Sequence, residues 1–141
     1  MIARRPMLRT ALATAAFSVS ALAALAQAVT PTGAERKAVL DAIRAPIAQE
    51  LGQPVEFVVK RIAVTAPWAF VMADVQGPGG TAIDWEKTVC SGDVSHLAGA
   101  LLKKSDAGAW NVEELALCPT DVAWATWAED HQAPAELFGL E

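Results

Sequence analysis

The chain has 141 residues, with 11 Lys and Arg against 16 Asp and Glu and a formal net charge of −5. That balance conceals two unlike segments: residues 1–28 carry Arg4, Arg5 and Arg9 and no acid, so the remaining 113 residues hold 8 basic and 16 acidic side chains, a net −8. A segment that acidic, with no basic run longer than a pair, is unsuited to nucleic acid or to an anionic membrane surface, and its length makes a single domain.

Residues 1–9 (MIARRPMLR) form a basic start, residues 10–25 an uncharged stretch rich in Ala and Leu, and Ala26-Gln27-Ala28 a small-x-small cleavage box. Together they predict a secretory signal peptide ending at Ala28 on a periplasmic or secreted protein; the competing reading is an uncleaved anchor helix. Arg4-Arg5-Pro6-Met7-Leu8-Arg9 is also similar to the twin-arginine export pattern, so the general and the folded-protein routes both stay open.

Residues 29–34 (VTPTGA) read as a linker to a single domain over 35–141. Thr32 with Glu35 three residues on fits a capping box, which starts a helix. Val39, Ile43, Ile47 and Leu51 recur every four residues and so line one face of that helix, with Gly52 as its terminator. Pro46 lacks a backbone donor and crowds the preceding turn, which predicts a kink or restart near Arg44 and Ala45.

VEFVVKRIAV (55–64) and WAFVMADV (68–75) are rich in strand-forming residues and predict a hairpin about Thr65-Ala66-Pro67. With the turn centred on Ala66, Ile62 would oppose Phe70 and Val64 would oppose Trp68 on one face, while Phe57, Val59, Val71 and Val75 share the other. Since both faces are apolar, the pair belongs inside a sheet or under cover on both sides.

Gly77-Pro78-Gly79-Gly80 breaks the chain and opens a connection to about Asp93, longer than most loops and therefore functional or mobile. VSHLAGALLKK (94–104) and AWNVEELALC (109–118) flank the turn Ser105-Asp106-Ala107-Gly108 and predict a second hairpin. In it Leu97, Leu101, Trp110, Val112 and Ala116 can share one face, with Leu102, Leu115 and Leu117 on the other. Cys90 at the end of the loop and Cys118 at the open end of this hairpin come within reach of each other. In an oxidising compartment such a pair favours one disulfide, the alternative being two separate buried thiols. Neither cysteine has an adjacent basic residue to lower its pKa for catalysis.

Thr120 is a possible N-cap for a short amphipathic segment carrying Val122, Trp124 and Trp127, and Pro134 breaks it before the tail AELFGLE. From Ser105 to Glu141 there are eight carboxylates and no Lys or Arg, so this end of the domain carries a negative field.

Chemistry-bearing residues are sparse. His96 and His131 lack metal-ligand spacing, and a metal site would have to be assembled from them with carboxylates such as Asp93 or Asp121; no metal or cofactor is expected. Asp84, Asp93 and His96 are weak catalytic candidates, an acid/base pair if the fold gathers them in a cleft and otherwise ordinary loop residues. No nucleophile elbow, phosphate loop or dinucleotide fingerprint is present. The five Trp, with no Tyr, are the stronger signal. Trp68 and Trp110 fall at strand positions that point to the core. Trp85, Trp124 and Trp127 lie in a loop and a terminal segment, where an indole either packs over the sheet or meets a partner, and they are the binding candidates.

On the segments ERKAVLDAIR (35–44), PWAFVMADVQGPGG (67–80) and LLKKSDAGAWNVEELALCPTDVAW (101–124), the chain resembles small exported proteobacterial proteins of uncharacterised function. The resemblance implies no activity, cofactor or catalytic residue. In such proteins a small residue is expected before the Pro-Thr-Asp step, so Cys118 is a departure that places the disulfide in a subgroup. In outline the layout is also similar to cystatin-like and nuclear-transport-factor-like folds, which assigns no function.

The expectation is therefore an α+β domain, an N-terminal helix packed on a four-stranded antiparallel sheet of two hairpins, followed by a short C-terminal helical segment. Its expected role is a non-enzymatic binding or interaction module for a protein or small-molecule ligand of the cell envelope. The alternative is a small hydrolase or isomerase with a polar site in the concave face of the sheet.

Overall fold

The computed structural model describes residues 27–140. The expected leader, residues 1–28, lies outside them except for its last two positions.

One long helix, α1 (Gly33–Leu51), precedes the strands β1 (Glu56–Thr65), β2 (Trp68–Gln76), β3 (Leu97–Lys104) and β4 (Trp110–Leu117), and a short helix α2 (Trp127–His131) closes the fold. The strands form one antiparallel sheet in the order β1-β2-β3-β4, two hairpins joined by the long loop. This is the expected α+β arrangement.

The stripe Val39, Ile43, Ile47 and Leu51 is buried, and Gly52 ends α1 with φ 70°, its N–H donating to the Gln49 carbonyl. Glycine suits that left-handed position because it has no Cβ to clash. Two details differ from expectation. Thr32 is the N-cap residue but its side chain makes no capping bond, and α1 runs unbroken through Pro46. Ile43 and Ile47, fully buried on either side of the proline, hold the helix to the sheet, so packing outweighs the missing backbone bond.

The sheet is covered on both faces. Under α1 lie Ile62, Ala69, Val71, Ala73, Val75, Ala98, Ala100 and Leu102. The alanines among them leave room for the isoleucines of α1 to reach the strands. On the opposite face Phe70 and Leu101 are sealed by Trp124, Trp127, Leu137 and Phe138 from the C-terminal segment. Burying both faces explains why β2 and β3, the central strands, read as nearly continuous apolar runs.

The face assignments need correction in both hairpins. The first turn is Ala66-Pro67, so Ile62 pairs with Val71, Ala63 with Phe70 and Val64 with Ala69. A bulge at Lys60 then inserts one extra residue in β1, where pairing passes from Arg61↔Met72 to Val59↔Ala73. An extra residue reverses side-chain parity, so Phe57, Val59, Ile62 and Val64 all pack against the helix-side core while Phe70 points away from it. In β4 a bulge at Glu113 does the same, since Leu101 pairs with Glu114 and Leu102 with Val112. Trp110, Val112, Leu115 and Leu117 therefore share the helix side, and Leu101 and Ala116 the other.

Part of the expected linker is also strand-like. Val29 exchanges two main-chain hydrogen bonds of 2.8 Å with Val64, on the outer edge of β1.

Candidate functional site

The connection between β2 and β3 is tied down along its length. Gly77 N–H donates to the Thr81 carbonyl at 2.8 Å, and a Cβ at Gly77 would sit 2.2 Å from the Thr81 hydroxyl, so a side chain there would force Thr81 to shift. Gly79, at φ 70°, donates its N–H to the Glu56 carboxylate at 3.0 Å. Ile83 is buried in the helix-side core. A single 3-10 turn over Trp85–Lys87 follows, and Thr88 closes it, its hydroxyl donating to the Trp85 carbonyl and accepting from the Cys90 N–H.

Cys90, 1% exposed, is joined by a disulfide to Cys118, with their Cα atoms 5.8 Å apart. Cys118 N–H donates to the Leu97 carbonyl and the Ser95 hydroxyl to the Pro119 carbonyl, so the loop end and the start of the C-terminal segment are stitched together. The loop is thus held in place at its Gly-rich start, at Ile83 and at the disulfide.

What it displays is an aromatic pair. The Trp85 indole stacks on the His96 imidazole with ring centroids 3.9 Å apart and planes 8° from parallel. Trp85 is half-buried against the core and His96 is exposed. The same loop carries the exposed Asp84, Glu86 and Lys87, and Val89, which is 70% exposed. A single exposed apolar side chain is ordinary on a protein surface, so Val89 gains weight here only from the aromatic pair on the same loop.

The catalytic candidates are not gathered. Asp84 pairs with Lys87 at 3.2 Å, His96 lies against Trp85, and Asp93 is exposed, so no two of the three share a hydrogen bond among the described residues. Nor do the described residues bring three or more His, Cys, Asp or Glu side chains together as a metal site. His131 is engaged by Glu114, which ties α2 to β4.

Trp124 and Trp127 are placed differently from Trp85. At 6% and 3% exposure they belong to the second core, around Phe70, whose ring centroid lies 5.8 Å from Trp124, 6.4 Å from Trp127 and 4.8 Å from Phe138. Trp124 and Trp127 are corrected as binding candidates accordingly: of the two alternatives left open for them, packing over the sheet is the one that holds. The sequence pattern could not separate the two outcomes, because an amphipathic turn with two Trp looks the same whether its apolar side faces a sheet or a ligand.

A feature that sequence reasoning missed is a shallow, mostly apolar groove of about 520 Å³ lined by Ala45, Ala48, Pro54 and Val55, with Asp41 and Arg44 at its rim. Asp41 is bracketed by Lys37 and Arg44, and the Lys37 hydrogen bond first, then Arg44, holds its carboxyl below the ordinary carboxylate range despite partial desolvation. Arg44 also lies over the Phe57 ring, 5.7 Å from its centroid, so these charges position one another rather than a reactant.

Compared with known protein families, curated proteins and solved structures, the chain matches none. Among the described residues no helix is long and apolar enough to cross a membrane.

Proposed function

We propose that the protein is an exported, non-enzymatic binding module of the cell envelope whose recognition surface is the 77–96 loop. The observation that carries this reading is the Trp85–His96 stack, with the exposed Val89 on the same loop, which is anchored by Ile83 and the Cys90–Cys118 disulfide. A pre-ordered loop loses little conformational entropy when it is covered, so its flat aromatic pair and its exposed valine can act as an anchor without prior ordering. An oxidising compartment is where such a disulfide persists, in keeping with the leader-like residues 1–28.

The test is site-specific photocrosslinking in cells, with a photoreactive amino acid in place of Val89. The expected result is a discrete crosslinked species that falls severalfold when Trp85→Ala is added. An equal yield of the same species from a probe at Asp106, on the β3–β4 turn, or a yield indifferent to Trp85→Ala, would refute the assignment of the surface.

A further inference from the structure

The edge of β1 carries a pattern of which the loop uses only the Glu56 carboxylate. Val75 donates its N–H to the His96 carbonyl, on the β3 side, so the alternating residues Asp74 and Gln76 face β1. Their partners, Val58 and Glu56, spend their main-chain groups within the sheet. The N–H and C=O groups of Phe57 and Val59 consequently point outward from the sheet edge. Among the described residues the N-terminal segment pairs with β1 at its far end, where Val29 meets Val64. Among the described residues no strand pairs with the outer side of the run Glu56-Phe57-Val58-Val59-Lys60, and Val58 is 48% exposed.

An open edge invites another strand, and proteins commonly blunt it with a lysine or a bulge, both of which Lys60 supplies. Here the lysine does not forbid pairing with a copy of itself. In an antiparallel two-fold arrangement centred on Val58, Phe57 falls opposite the partner's Val59, and the outward main-chain groups meet in about four hydrogen bonds. Val58 packs on the partner's Val58. Glu56 falls opposite the partner's Lys60, and Lys60 opposite the partner's Glu56. The five-residue run has opposite charges at its two ends, so it complements its own reversed copy and no uniformly charged strand. A second observation agrees: beside the Lys60 end is a notch of about 280 Å³ lined by Thr30, Arg36, Lys60 and Arg61 with no carboxylate among its lining residues. That is where the partner's Glu56 arrives. Lys60 is bound to Asp74 at 3.2 Å and Arg61 to the Glu136 and Leu137 carbonyls, whereas Arg36 has no ion-pair partner among the described residues.

We infer that β1 is a homodimerisation edge, joining two copies into one continuous eight-stranded antiparallel sheet through Glu56–Lys60. The edge is a different surface from the loop proposed above, but Glu56 also accepts the Gly79 N–H there, so Glu56→Lys perturbs both whereas Lys60→Glu leaves that anchor in place.

The experiment uses protein expressed with its own first 28 residues and compares wild type, Glu56→Lys, Lys60→Glu and the double exchange by sedimentation over a concentration series. Wild type should dimerise. Each single variant places like charges opposite each other twice and should dimerise roughly tenfold or more weakly. The double exchange should recover the dimer. Mixing the two single variants should give a heterodimer, because the edge of one then has lysine at both ends and the edge of the other has glutamate at both ends. Hydrogen exchange on wild type alone provides a readout that needs no variant: the Phe57 and Val59 amides should slow as concentration rises. A wild-type protein still monomeric at about 1 mM, single variants as dimeric as wild type, or amides at 57 and 59 indifferent to concentration would each overturn the inference.

Discussion

Gly99 tests whether the C-terminal tryptophans belong to the core. It lies in the middle of β3 on the face away from α1, and a Cβ built there would sit 2.6 and 2.8 Å from Cε3 and Cζ3 of Trp124. Ordinary carbon contacts are about 3.5–4.0 Å, so the indole would have to retreat by roughly 1 Å. It is hemmed in by Phe70 and by Trp127, whose ring centroid is 6.4 Å away, and has little room to do so. Replacing a strand glycine with alanine ordinarily stabilises by about 0.5–1 kcal/mol, whereas overpacking a filled core costs about 1–3 kcal/mol. Gly99→Ala should therefore destabilise by roughly 1–2 kcal/mol, measured by urea unfolding followed by far-UV circular dichroism with the disulfide intact. Trp124→Ala alone should cost about 3–5 kcal/mol, and in that background Gly99→Ala should become neutral or stabilising, a coupling that marks direct contact. If Gly99→Ala is as stable as wild type with Trp124 present, the indole is not seated on β3, and Trp124 returns to the residues available for a partner.

Three further outcomes are expected. Thiol titration of the denatured, unreduced protein should find no free thiol, and Cys90→Ala with Cys118→Ala should lower stability by about 3–4 kcal/mol, the chain-entropy value for a loop of this length; two reactive thiols would refute the disulfide. Arg61→Ala removes the donors that hold the Glu136 and Leu137 carbonyls at 2.9 and 2.8 Å, so it should cost about 1–3 kcal/mol and speed hydrogen exchange at Leu137 and Phe138, while an unchanged exchange pattern would show that the tail holds itself. For Asp41, whose carboxyl is held low by Lys37 and Arg44, NMR titration should find a pKa below the usual aspartate value that moves back up in Lys37→Ala. With the folded pKa depressed, any stabilisation from this group is present above the unfolded pKa and is lost as pH falls through the folded one; an Asp41 titration unaltered by Lys37→Ala would remove the cause assigned here.

Legibility in the sequence followed the range of the interactions. The stripe Val39-Ile43-Ile47-Leu51 and its Gly52 stop are local periodicities, and α1 was readable from them. The two hairpins were readable from their β-branched and apolar runs on either side of turn residues, and the Cys90–Cys118 pairing from their places at the ends of neighbouring elements. The candidate site was only half readable. Trp85 and His96 were named separately, eleven positions apart in the chain, and their stacking depends on how the disulfide-tied loop folds back on β3.

By itself, then, the sequence determined the element types, the fold class and a negatively charged C-terminal third, because each follows from composition or from periodicity over a few turns. Tertiary structure alone decided the faces and the surface. One extra residue at Lys60 and one at Glu113 reverse side-chain parity along their strands, and no pattern within either strand announces such an insertion. Packing against Phe70 and Gly99 then took Trp124 and Trp127 into the core, leaving Trp85 as the indole on the anchored loop and the Glu56–Lys60 edge open.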